Sequence, residues 1–109
     1  MSPPSWIVGT WYFTPNIPSQ GFIVQSDNVI VLTGSSQVDL KDNASKSSGT
    51  MIIKELSKSS TVYEIQVLLN GSEYLYYKFT NTSNPTVSSV VMRSMAVSQS
   101  VTVSLYKKI

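Results

Sequence analysis

A chain of 109 residues, 41% of them hydrophobic, carries enough apolar mass for one core; this excludes a disordered segment and points to a single domain over residues 1–109. Only 13% of the residues are charged, about half the ordinary share of roughly 25%, and the net charge of +2 is too small to argue for a nucleic-acid partner. The absence of Cys and His excludes disulfides, the usual zinc sites and any nucleophile activated by histidine.

The elements follow in chain order as short β-branched and aromatic runs between turn signals, a pattern that predicts an all-β sandwich or barrel. The first strand spans 6–14. Its odd face, Ile7, Gly9, Trp11 and Phe13, is the core face, and Gly9 leaves room there for an indole or for coiling of the chain. Pro15 and Pro18 end it. A second strand over 21–26 turns at Asp27-Asn28 into a third over 29–33, which is apolar on both faces. A strand of that kind is covered on both sides, which points to an external contact. Strand four covers 37–41 with Val38 and Leu40 inward, and the polar stretch 42–49 reads as a loop. Strand five covers 50–56, followed by a turn over 57–60.

The best-specified hairpin spans 61–80 around Asn70-Gly71. A two-residue type I′ turn is the simplest reading, but it sets Glu64 opposite Tyr77 and Ile65 opposite Tyr76. A three-residue loop over 70–72, with a bulge, sets Tyr63, Ile65 and Val67 opposite Phe79, Tyr77 and Leu75, and Glu64 opposite Lys78. The hydrophobic pattern favours this second register. Strand eight runs over 86–95 and holds Arg93, the only arginine. A turn at 98–100 leads to a last strand over 101–107, with Val101, Val103 and Leu105 inward. The fold expected is a single-domain, antiparallel up-and-down meander, rolled into a closed or nearly closed barrel of eight or nine strands, because closure removes sheet edges.

Gly9-Thr10-Trp11-Tyr12, then Phe22-Ile23-Val24, then Leu32-Thr33-Gly34, resemble the opening strands of the calycin superfamily, the lipocalins and avidins. The likeness covers about the first quarter of the chain. It implies a β-barrel closed at one end by Gly9 and Trp11, with Arg93 packed across the indole, and a small ligand held inside. The later tryptophans that wall the avidin site have no counterpart, since the only two are Trp6 and Trp11.

No catalytic pair stands out, and no cofactor or metal is implied. The carboxylates are Asp27, Asp39, Asp42, Glu55, Glu64 and Glu73; all but Glu64 lie at or near turns, and Glu64 faces Lys78. Trp11 reads as a core plug or a ligand contact. Arg93 reads as a cation over Trp11 or as a solvated side chain. Two functions follow. The first is a non-catalytic calycin-like barrel that binds a small apolar or aromatic ligand among Trp11, Tyr63, Tyr77 and Phe79. The second is an assembly subunit, such as a minor virion component, whose outward Leu68, Tyr74 and Tyr76 form a protein interface. A homo-oligomer or protein partner fits the low charge. No membrane span is expected, because no apolar run approaches about 20 residues. Residues 1–5 show no signal peptide, so the expected location is the cytoplasm or a virus particle.

Overall fold

In the computed structural model, which describes residues 1–94 and 97–108, the apolar runs become nine strands. They are β1 (Gly9–Thr14), β2 (Ile17–Gln25), β3 (Asn28–Thr33), β4 (Gln37–Asp39), β5 (Met51–Lys58), β6 (Val62–Leu69), β7 (Ser72–Asn81), β8 (Val87–Ser94) and β9 (Val97–Lys107). One helix, α1 (Leu40–Ser45), joins β4 to β5. The strands form one antiparallel sheet in the order β4-β3-β2-β1-β9-β8-β7-β6-β5. Every strand pairs with its neighbour in sequence except β4 with β5, and β1 meets β9. The sheet is therefore a meander bent until its first and last strands join, with a seam left open between β4 and β5. It is a curled half-barrel, open rather than the closed or nearly closed barrel expected.

The seam has a local cause. Asp39 stops β4 after three residues by accepting the Asp42 N–H at 2.9 Å, as a helix N-cap. Asn28, 5% exposed, holds the cap in place. Its Nδ2 donates to Asp39 Oδ1 at 2.8 Å, and its Oδ1 accepts the N–H of Lys41 and of Val29. The chain then coils into α1, which packs against β3, β4 and β5 and buries Leu40 completely. The expected strand over 37–41 is thus cut short, and the expected loop over 42–49 is half helix. The signal was the Asp39 cap, which lies beside turn-forming residues and reads equally well as a strand end.

At the other end of β5, residues 1–8 run alongside it. The Ser2 N–H donates to Glu55 Oε2 at 2.8 Å, Lys58 Nζ reaches Ser2 Oγ at 2.6 Å, and the Trp6 indole donates to the Ser59 carbonyl at 2.9 Å. The first strand consequently begins at Gly9 and not at residue 6, although Ile7 remains fully buried in the core.

The hairpin over β6 and β7 takes the register its hydrophobic pattern demands. Tyr63 faces Phe79, Glu64 faces Lys78, Ile65 faces Tyr77 and Val67 faces Leu75. The loop has two residues and not three, because Leu69 still pairs with Ser72, and Asn70 and Gly71 adopt φ of 53° and 85° as a type I′ turn requires. The odd residue is absorbed within the ladder: between Val67↔Leu75 and Leu68↔Glu73 the extra residue is Tyr74. Elsewhere β2 begins at Ile17, with Pro18 in an irregular stretch that pairs with neither neighbour. Residues 98–100 belong to β9 and form no turn. Met95, which the expected eighth strand included, lies outside the described residues, as does Ile109. Val101, expected inward, is 49% exposed and lies opposite Met92, beside the register shift between Met92 and Ser94.

Trp11 is the indole the core surrounds. It is 1% exposed, and its Nε1 donates to the Ile7 carbonyl at 2.8 Å. The glycine that makes room is Gly21, opposite Tyr12. A Cβ there would lie 1.9 Å from the Trp11 carbonyl oxygen, and φ is +154°. At Gly9, where φ is +143°, a Cβ would come nearest to the Lys107 Cε, at 3.0 Å, the far end of a flexible side chain.

Two predictions follow from these contacts. Gly21→Ala destabilises the fold by at least about 2 kcal/mol, and by clearly more than Gly9→Ala, in urea denaturation followed by Trp fluorescence. Asp39→Ala costs about 0.5–2 kcal/mol by loss of the cap, with amide exchange accelerated in α1 and at β4.

Candidate functional site

The interior is filled by rings. Phe22 on β2 meets Phe13 edge-on at 5.9 Å, Tyr77 at 5.2 Å and Phe79 at 5.0 Å between centroids, and Tyr63 stacks near Phe79 at 6.4 Å. Of the four residues expected to hold a ligand, Trp11, Tyr63 and Phe79 are core, at most 1% exposed. Only Tyr77 reaches a cleft.

It reaches two. A cleft of about 260 Å³ is lined by Leu75, Tyr77, Met92, Arg93, Gln99 and Val101. A second, of about 230 Å³, is lined by Leu40, Asn43, Met51, Tyr74, Leu75 and Tyr77, mostly apolar but with the Asn43 amide among them. Leu75 and Tyr77 belong to both, so β7 is a rib with an apolar cleft on each side, at the mouth where the seam opens. Sequence reasoning found Tyr77 through strand alternation. It missed Met51 and Leu40 because the seam that brings β5 and α1 to β7 has no sequence signature, and Tyr74 because the bulge reverses its direction.

Among the described residues, the one polar side chain that lines both clefts is Tyr77. The residue is 6% exposed, and among the described residues no partner meets its oxygen. Burial, helped by the neighbouring Tyr74, pushes its pKa up to about 12. It is a neutral phenol in an apolar setting, able both to donate and to accept. Tyr63 differs: its hydroxyl donates to Glu55 Oε2 at 2.7 Å, and burial, with this bond, pushes it still further up.

Arg93 does not reach Trp11. Register sets it opposite Tyr76 on the outer face of the sheet, where its Cζ lies 3.9 Å from the Tyr76 ring centroid. It binds Glu73 through both Nε, at 2.7 Å, and Nη2, at 2.8 Å. That bidentate bond holds the Glu73 carboxyl below its usual range. The cation over Trp11 is the Lys107 ammonium, 5.7 Å from the ring centroid, and the bare Gly9 backbone lets that side chain lie there.

The expected interface also divides. Tyr76 is 7% exposed, covered by Arg93 and bonded to Glu64. Tyr74, as the bulge residue, turns to the inner side and lines the mouth. Leu68 is half-buried opposite Ile52. The exposed apolar side chains of this region are Ile52 and Leu56 on β5, at 50% and 47%. Ile30 and Leu32 of β3, expected to be covered on both faces, are only half-buried.

Each carboxylate has a structural partner. Asp27 pairs with Lys41, Asp42 with Lys46 and Glu73 with Arg93. Asp39 caps α1, Glu55 takes Ser2 and Tyr63, and Glu64 accepts from the Tyr76 and Ser57 hydroxyls. The Glu64 carboxyl is held low chiefly by Tyr76, with the facing Lys78 adding charge and no direct bond. Among the described residues no group of three acidic side chains could hold a metal ion, and no helix is long and apolar enough to cross a membrane. Compared with known proteins, the chain matches no family model, no curated sequence and no solved structure.

The buried phenols set an alkaline limit. A folded tyrosine with a raised pKa keeps its proton where the unfolded chain, near 10, has lost it. Its contribution is complete below pH 10 and is lost as pH rises toward 12. Each of Tyr63 and Tyr77 should then cost roughly 1.4 kcal/mol of stability per pH unit above 10. Titration at 295 nm should show these two ionising late together with Tyr76, which burial and its bond to Glu64 also push up to about 12, and Tyr77→Phe should flatten the fall in urea midpoint between pH 10 and 11.5.

Proposed function

We propose that this protein is a non-catalytic, calycin-like binding module that holds a small apolar or aromatic molecule at the mouth of its half-barrel, against Leu75 and Tyr77. One observation carries the reading: a phenol with no partner stands between two adjoining apolar clefts. The fully buried unpartnered hydroxyl among the described residues is that of Ser88, so the Tyr77 hydroxyl keeps access to water at the clefts, where a ligand with one hydrogen-bonding atom on a flat apolar body would find a partner and apolar walls together. The site sits at the rim and not in the interior, since Trp11, Tyr63 and Phe79 are packed against their neighbours and act by holding Tyr77 in place.

A second reading, an assembly subunit that uses the outer face of its sheet, draws support from Ile52 and Leu56, each about half exposed on one strand. Light scattering after size exclusion tests it: a concentration-dependent oligomer supports assembly, and a monomer at high concentration removes self-assembly.

For the ligand reading, ¹⁵N-labelled protein titrated with indole, 1-naphthol and decanoate should give saturable shifts at Leu75, Tyr77 and Met92. Tyr77→Phe should weaken 1-naphthol binding about five-fold, the worth of one hydrogen bond of about 1 kcal/mol. No saturable shift with any of the three compounds overturns the reading. Unchanged affinity in Tyr77→Phe overturns the role given to the hydroxyl.

A further inference from the structure

The edge of β5 has features that neither the core nor the mouth uses. Asn70 N donates to the Thr50 carbonyl at 2.8 Å. Thr50, Ile52 and Lys54 therefore turn their backbone groups toward β6, and Met51, Ile53 and Glu55 turn theirs away from the sheet. Ser47 Oγ meets both groups of Met51, its N–H at 3.0 Å and its C=O at 3.4 Å. Among the described residues, nothing meets the N–H and C=O groups of Ile53 and Glu55. The open window is bounded by Ser47 on one side and, on the other, by the bulge between Glu55 and Ser57 and by Ser2, whose N–H sits on the Glu55 carboxylate at 2.8 Å, so that an added strand pairs first at Ile53 and meets Ser2 at Glu55. Beside it, on the outer face, stand Ile52, Lys54 and Leu56. The two apolar residues are about half exposed, and among the described residues no carboxylate lies within 4.0 Å of the Lys54 ammonium.

We propose that this edge takes up an extended segment of a partner protein as an added strand, with an acidic side chain opposite Lys54 and apolar side chains two positions to either side. The inference rests on the assembly reading of the outer face and gives it a partner. Three features carry it. The unpaired backbone groups of Ile53 and Glu55, left to water in the free protein, are a template for a strand. The alternating Ile52, Lys54 and Leu56 dictate an apolar–x–acid–x–apolar complement. A second copy of this chain is the poorer occupant, because the two-fold pairing that matches Ile53 with Glu55 sets Lys54 against its own copy, a like-charge contact that protects edges from self-association.

The test is an amide titration of ¹⁵N-labelled protein with the capped peptide Thr-Val-Thr-Glu-Thr-Val-Thr and with its counterpart carrying Lys in place of Glu. The acidic peptide should shift the amides of Ile53 and Glu55 saturably and slow their exchange. The basic peptide should bind about five-fold more weakly, and Lys54→Glu should invert that preference. Equal response to both peptides, or shifts confined to Leu75 and Tyr77, overturns the added strand. A wild-type dimer that protects the Ile53 amide also overturns it, in favour of a second copy. An oligomer that leaves β5 unmoved and open to neither peptide overturns the added strand while leaving assembly itself standing.

Discussion

Phe22 is the contact on which the shape depends. It sits on β2, and its ring meets Tyr77 and Phe79 edge-on at 5.2 and 5.0 Å, although β2 and β7 are separated in the sheet by β1, β9 and β8. Such a contact requires the sheet to bend through most of a turn. Edge-to-face pairs at these distances contribute about 0.5–1.5 kcal/mol each beyond the area they bury. Gly21, next in the chain, permits the bend, because only a residue without a Cβ can sit under the Trp11 carbonyl. Curvature and core are thus one device, with the aromatic rings filling the space that the glycine lets the backbone enclose.

A sheet bent this far would gain by closing, and this one does not close. Asp39 diverts the chain into α1 before β4 is long enough to pair with β5, and Asn28 reinforces that choice with three hydrogen bonds. The seam is lined instead by a buried leucine from α1 and, further along β5, by residues 1–8. The cost is an edge strand with unpaired backbone groups, together with apolar clefts beside β7. Both features proposed to bind something, the mouth around Tyr77 and the edge at Ile53 and Glu55, follow from the same unpaired β4 and β5.

The polar groups divide along the same lines. Carboxylates on the outer face and at turns are tied to cations, hydroxyls or backbone, as in Glu73 with Arg93 and Glu64 with Tyr76. Tyr63, deep in the core, has its hydroxyl satisfied by Glu55. Tyr77 is the phenol whose hydroxyl, without a hydrogen-bond partner among the described residues, stands where the interior opens. A binding role for Tyr77 thus rests on its place between the two clefts and not on its lacking a partner, which it shares with the hydroxyls of Tyr12 and Ser88.

Much of this was legible in the chain itself. Strand type, the inward face of β1, the burial of Trp11 and the pairing of Tyr63, Ile65 and Val67 with Phe79, Tyr77 and Leu75 follow from alternation, since a one-residue slip would send the whole apolar set into water. The sequence also contained both the Asn-Gly turn and the need for an odd residue, but not that a bulge at Tyr74 would reconcile them, because a bulge is chosen by the fit of the finished ladder. Position relative to distant strands was out of reach. That Arg93 would lie over Tyr76 and Lys107 over Trp11 depends on which strands become neighbours, and both cations are equally plausible from composition. Alternation along a strand is a local property, so the sequence determined the run of strands, the inward faces of β1 and β6 and one hairpin register. Whether the curled sheet closed, and so where its mouth and its free edge lie, was decided only when the Asp39 cap, the Asn28 bonds and the meeting of Phe22 with β7 competed in three dimensions.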